Sequence, residues 1–277
     1  MNQKTIKSSV NYTGIALHTG NKAKITFEPA PQNHGVEFIR TDLEGAPSIF
    51  ADIEHVRGVT RGTTIGNGAI TIHTVEHVLA VLMGFEIDNL IVKMDNNEPP
   101  VGDGSVTHFI EMIKRVGLIE QEEKKKFITI TSPLWIDKDE VILVALPHES
   151  FRISFMLSYK ETIIQDQLFA LEITPETFEN EISSCRTFCF YNEVEELMNQ
   201  NLIKGGSLDN AVVVGQDAIF SKEDLRFPDE CVRHKILDLL GDLFLLGRPI
   251  KGHIIAIKAG HGMNIELAKE LAKHFLT

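Results

Sequence analysis

Residues 232–247 read VRHKILDLLGDLFLLG. Wound as a helix, this stretch carries Val232, Ile236, Leu237, Leu239, Leu240, Leu243 and Phe244 on every side. A helix that is apolar all round belongs in a core. Set into it are His234, Asp238 and Asp242, at i, i+4 and i+8. Each four-residue step drifts by only about 40° around the axis, so the three share one face. Buried carboxylates are costly unless they are paired or hold a metal. One alone reads as a cap or a core ion pair. Two in register with a histidine leave two readings open, metal or proton chemistry and a satisfied polar network.

Outward from this helix, which the pattern extends over about 228–246, strands and helices alternate without a regular βα period. Residues 141–146, 151–159 and 167–173 predict successive strands. Thr174-Pro175 predicts a cap followed by proline at the first helical position. A short helix over 193–200, a strand over 211–214, a strand over 254–257 and a helix over 265–275 complete this half. In the other half, 24–28 and 36–40 read as strands, and the Gly/Thr-rich stretch 58–70 as a ribbon or loop. Thr74 is expected to cap a helix over 75–83, and Ser105 a second helix ending at Gly117, with a strand over 90–94 between them. The run EQEEKKK (120–126) is the most polar of the chain and reads as a solvated linker. The expected fold class is α+β, as two α+β domains over 1–123 and 127–277.

Composition narrows the function. The 277 residues include 39 acidic and 27 basic side chains, a net charge of −12, and are 43% hydrophobic. That is enough apolar material for a core, and too acidic a balance for a non-specific nucleic-acid binder. A small anionic substrate held by a few local Lys or Arg remains compatible. Three cysteines (185, 189 and 231) make no disulfide framework, and no apolar run reaches membrane-spanning length. The expectation is a soluble, cytoplasmic protein with no integral membrane segment. Without a coiled-coil period or a surplus apolar segment, it is expected to be a monomer. Neither GxGxxG nor a Walker lysine motif is present.

Two further clusters carry chemistry. In HTVEH (73–77), Glu76 and His77 point about 100° apart at a helix start. One could bind a metal while the other takes a proton from its water; the plainer reading is a surface cap. The zincin pattern HExxH is absent, since position 80 is Ala80. In KAGHG (258–262), His261 stands where a strand turns into a helix, a place suited to proton transfer and also common in ordinary turns. Together, His77, His234 and Asp238 would make a two-His, one-carboxylate zinc set with a position open for water, leaving Glu76 as base and His261 as acid. Ligands from such distant parts of the chain suit a site between two domains.

TGIALHTG (13–20), HTVEHVLAVL (73–82), EIDNLIV (86–92), NNEPPVGDGS (96–105), SCRTFCF (184–190), VRHKILDLLGDLFLLG and KAGHGMN (258–264) occur in this order along nearly the whole chain. As a set they resemble the UDP-3-O-acyl-N-acetylglucosamine deacetylase family, zinc amidases of bacterial lipid A biosynthesis. The resemblance implies one zinc per chain on His77, His234 and Asp238, a ligand set that accepts Fe2+ as well. It implies Glu76 as general base, and His261 with its carboxylate partner Asp242 as the group that supports the leaving amine. Thr187 corresponds to a hydroxyl near the oxyanion. Lys235, Lys258, Phe188 and Phe190 fall where the family meets its nucleotide substrate, an acylated UDP-N-acetylglucosamine. The family fold has helices sandwiched between two sheets and a small insert in each domain, here near 58–71 and, as a βαβ element, near 189–207. Val194, Leu197, Met198 and Leu202 of the second insert would line an apolar passage for the acyl chain, or else simply pack on the second sheet. Departures are modest: the family commonly has EIPxxDGS where residues 98–105 read EPPVGDGS, and often Ala or Ser at Gly262. Neither removes a group the chemistry needs.

Overall fold

Both halves of the chain repeat one topology in the computed structural model, which describes residues 1–159 and 162–275. In the first, the sheet runs Val10–Ile15, Lys22–Pro29, Leu90–Met94, Val36–Arg40, Ser48–Phe50. In the second it runs Leu134–Lys138, Val141–Leu146, Ile250–Ile257, Phe151–Leu157, Gln167–Glu172, with Ile128–Thr129 pairing beside the start of Ile250–Ile257. Each central strand is the last in sequence, antiparallel to the second strand and parallel to the third. The helices are α1 (Glu76–Gly84), α2 (Thr107–Val116), α3 (Pro175–Thr177), α4 (Val194–Asn199), α5 (Glu230–Phe244) and α6 (His261–Phe275). In each half the chain leaves the fifth strand, builds a small three-stranded sheet, enters a buried helix (α1 or α5), and returns as the central strand. The result is the two-domain α+β sandwich expected, its helices between two sheets.

The two buried helices form the heart of the molecule. All nine residues of α1 are buried, and so is every residue of α5 from Glu230 to Leu243 except Lys235. They lie against each other at Gly241, where an added Cβ would stand 2.1 Å from the Glu76 carbonyl oxygen. Glycine in mid-helix weakens the helix, but here it lets two backbones touch. That contact brings the start of α1 beside the histidine and carboxylates of α5.

Several expectations need correction. Residues 120–124 are no linker: Leu118–Lys124 is a strand paired antiparallel with Asn2–Ile6. The pairing is made by backbone, and its outer face is solvated, so charged side chains suit it. Thr74 does not cap α1. It sits at φ +56°, a region a β-branched residue rarely adopts, and its hydroxyl donates to Glu98 (3.3 Å). The Val75 N–H is met instead by the carbonyl of Thr63 (3.1 Å). The second insert closes with Val212–Val214 and Ile219–Phe220, beyond residue 207. Thr174 caps its helix as expected, with Pro175 in first position. Ser105 is not the cap of α2: it stands one residue before the Val106 N-cap, its hydroxyl held by Asp103 and only 3.3 Å from the Thr107 N–H. Among the described residues no helix is long and apolar enough to cross a membrane.

Candidate active site

The α1–α5 contact gathers His77, His234 and Asp238, all buried, with one ligand atom of each within 4.8 Å of the others. Asp238 Oδ1 stands 3.4 Å from Nε2 of His234 and 3.9 Å from Nε2 of His77. The Nδ1–H of His234 donates to the Cys185 carbonyl (3.0 Å), which leaves the Nε2 lone pair turned to the cluster. Burial, aided by the neighbouring His234, pulls His77 down to about 3, and burial lowers His234 as well. Burial alone would raise Asp238, but Lys235 and the histidines hold its carboxyl well below the usual range. Neutral imidazoles facing an ionised carboxylate, with no proton on Nε2 of His234, make a donor set that a cation completes. The set fits zinc.

Two ionisable groups, Glu76 and His261, stand beside it. Glu76 Oε2 accepts the Thr63 N–H (2.8 Å), and Oε1 lies 4.0 Å from Nε2 of His261. Burial, with Asp242 and Asp238 nearby, pushes Glu76 up to about 7 despite the pull of His261. His261 opens α6 and donates Nδ1–H to Asp242 Oδ2 (2.9 Å). Burial disfavours its charge, yet Asp242, Asp238 and Glu76 together raise it to about 9, so it is an imidazolium at neutral pH. Asp242, fully buried, also accepts from Asn264 Nδ2 (2.8 Å) and from the Thr63 hydroxyl (2.5 Å).

Comparison with known proteins meets this geometry. The family model described as UDP-3-O-acyl N-acetylglycosamine deacetylase matches residues 3–273. The UDP-3-O-acyl-N-acetylglucosamine deacetylase of Chlamydia abortus is 43% identical over 270 residues, covering 97% of this chain and 96% of its own. That of Myxococcus xanthus is 41% identical, covering 98% and 86% respectively. A bifunctional enzyme LpxC/FabZ of Chlorobaculum tepidum is 42% identical across 99% of this chain, which spans 65% of that longer protein. The chain belongs to this deacetylase family.

Of the remaining residues that the deacetylase motifs single out, Lys235 and Phe188 touch the cluster, and the others are placed by contacts of their own. Thr187 is pinned through its backbone, donating N–H to Gly104 O (2.9 Å) and accepting from Val212 N–H (2.9 Å). Lys235 Nζ donates to Asp238 Oδ2 (2.7 Å) and stands 5.7 Å from the Phe188 ring centre. Rings continue outward from His234 to Phe188 (6.4 Å), Phe190 (6.0 Å) and Tyr159 (4.6 Å). They end at a cavity of about 790 Å³ edged by Tyr159, Phe190, Tyr191 and Glu193. Lys258 pairs with Glu140 (2.8 Å) at φ +55°. The four passage residues face different ways: Leu197 is buried, Val194 half-buried, Met198 63% exposed, and Leu202 edges a polar cavity with His18, Thr74 and Glu98.

Three residues of the site were missed in the sequence. Thr63 lies in a Gly/Thr-rich stretch with no periodicity to mark it. Asn264 sits one turn after His261, a spacing that could have signalled it. Glu98, fully buried, accepts the N–H groups of His18 (2.9 Å) and Thr19 (2.8 Å) and so ties the N-terminal TGIALHTG segment to the loop before α2.

Proposed function

We propose that this chain hydrolyses the 2-acetamido group of a UDP-3-O-(3-hydroxyacyl)-N-acetylglucosamine, releasing acetate and leaving the free amine, the committed step of lipid A biosynthesis. The observation that carries the reading is a buried base and a buried acid, Glu76 and His261, 4.0 Å apart beside the three-residue metal cluster. A zinc ion held by His77, His234 and Asp238 would lower the pKa of a water and polarise the amide carbonyl. Glu76, raised into the range where a carboxylate can both take and give up a proton near neutrality, removes a proton from the attacking water. The Thr187 hydroxyl serves the oxyanion that develops on the amide carbonyl. His261, kept protonated by Asp242, delivers a proton to the departing nitrogen, which is a poor leaving group without one.

The nucleotide end would lie along Phe188 and Phe190, with the cavity beside Tyr159 offering aromatic faces to the base. Lys235 and Lys258 would meet the diphosphate, Lys258 exchanging Glu140 for it. Val194, Leu197, Met198 and Leu202 would flank the acyl chain, each buried methylene contributing about 0.8 kcal/mol. We place the unit boundary at 124–126, supported by the pairing of Leu118–Lys124 with Asn2–Ile6, which ties the ends of the first unit together. The protein is assigned to the cytoplasm as a monomer, and its three free cysteines suit a reducing compartment.

The test is acetate release from UDP-3-O-(3-hydroxymyristoyl)-N-acetylglucosamine by metal-stripped protein, before and after one equivalent of zinc. Turnover restored by zinc is expected. Folded, zinc-loaded protein that releases no acetate would overturn the assignment.

A further inference from the structure

The short segment Arg61–Thr63 reaches the site from the first insert. Arg61 and Thr63 bracket Gly62, whose missing Cβ would stand 2.9 Å from Glu76 Oε1. Thr63 is fully buried and uses every polar group it has. Its N–H donates to Glu76 Oε2 (2.8 Å), its carbonyl accepts the Val75 N–H at the start of α1 (3.1 Å), and its hydroxyl donates to Asp242 Oδ1 (2.5 Å). One residue thus holds the base from one side and the acid's carboxylate partner from the other. The hydroxyl is also 3.4 Å from Nδ1 of His261, so it closes the group Thr63, Asp242, His261.

We propose that Thr63 is a positioning residue for the hydrolysis, its backbone setting the direction of the Glu76 carboxylate and its hydroxyl setting Asp242 and, through it, the His261 ring. This rests on the reaction proposed above.

The physical argument has two parts. A single donor on Oε2 fixes which carboxylate oxygen of Glu76 faces the donor set, and a backbone donor does so without a rotamer of its own to lose. On Asp242, Oδ2 serves His261 and Asn264, so Oδ1 would be a buried, unpaired acceptor without the Thr63 hydroxyl. A carboxylate with a free oxygen can rotate about its Cβ–Cγ bond, and the ring bonded to it follows. The segment itself is moored elsewhere: Arg61 makes a paired contact with Glu193 of the second insert (2.8 and 3.1 Å). The position of Thr63 therefore depends on both inserts.

The experiment compares Thr63→Val, which keeps the shape and loses the O–H, with Thr63→Ser, which keeps the O–H, both in the zinc-loaded enzyme. Thr63→Val is expected to lower kcat by about 10- to 100-fold with KM and zinc content nearly unchanged, and Thr63→Ser to recover most of that loss. A second reading needs neither zinc nor substrate. In metal-free protein with ¹⁵N-labelled histidine, the Nδ1–H resonance of His261, assigned by its loss in His261→Ala, should move in Thr63→Val and stay in Thr63→Ser. Wild-type kcat in Thr63→Val, equal impairment of both variants, or an unmoved resonance would each overturn the proposal. Should the wild-type protein release no acetate, the proposed reaction fails while the resonance still decides the role of Thr63.

Discussion

Glu76 and His77 are adjacent in sequence, and burial moves both away from their charged forms. The carboxyl of Glu76 rises to about 7 and the imidazole of His77 falls to about 3. One neighbour is left as a carboxyl that exchanges its proton near neutral pH, the other as a neutral imidazole. Their separation by substitution should be clean. Glu76→Gln keeps the bulk and loses the base, so kcat should fall by about 10²- to 10⁴-fold while zinc content, measured by elemental analysis, stays near one per chain. Near-normal turnover would remove Glu76 from that role. His234→Ala should instead lose zinc and rate together, because its Nε2 is one of three ligand atoms. His108 offers a test by pH. Its ring is buried against Phe109 (3.9 Å) and Tyr12 (4.8 Å), and burial brings it from 6.5 down to about 4. Between those values the unfolded chain holds a proton that the folded protein does not. Its contribution to stability is thus complete above about 6.5 and gone once the pH has fallen through about 4, with a slope near one proton, about 1.4 kcal/mol per pH unit. Denaturant unfolding of wild type and His108→Gln at several pH values should show the shallower acid loss in the variant. Parallel curves would contradict it.

At the scale of elements, the decisive contact is α1 against α5 at Gly241. Gly241→Ala places a methyl group 2.1 Å from the Glu76 carbonyl, so the helices must part or tilt. Overpacking of this kind costs about 1–3 kcal/mol, and moving α1 carries His77 away from His234. The expected outcome is a lower melting temperature together with weaker zinc binding, read by calorimetry and metal titration; unchanged zinc affinity would show that the crossing can relax without disturbing the site. Much of α5 was legible beforehand, because an all-round apolar helix with three polar residues at four-residue spacing has few places to go. The strand Leu118–Lys124 was not. Five of its seven residues are exposed, so it shows no period of two, and its partner Asn2–Ile6 is more than a hundred residues away in sequence. Thr63 was hidden for a related reason. Its importance lies in three hydrogen bonds to groups distant in sequence or across a helix start, and nothing in RGTT announces them. The capping reading of Thr74 failed where local preference lost to tertiary contact, its hydroxyl being taken by Glu98 and its backbone turned to positive φ.

The whole molecule is two copies of one topology that its sequence does not display as a repeat. Equivalent helices, α1 and α5, follow equivalent inserts and meet in the middle. His77 comes from one half and His234 with Asp238 from the other, so an ion bound by all three fastens the halves together. A ligand that binds only the folded protein stabilises it in proportion to RT ln(1 + [L]/Kd), about 4 kcal/mol at a thousandfold excess over Kd. In a chain of this size that corresponds to a rise in melting temperature of roughly 10 °C. Chelation should therefore lower the melting temperature by about that amount and zinc should restore it, whereas His234→Ala should melt at the same temperature with and without zinc. The comparison separates the ion's cross-linking from any general salt effect, since only the wild type has all three ligands. If zinc leaves the wild-type protein under chelation and the melting temperature does not move, the three side chains do not hold an ion between the halves, and the fastening role of the site is lost.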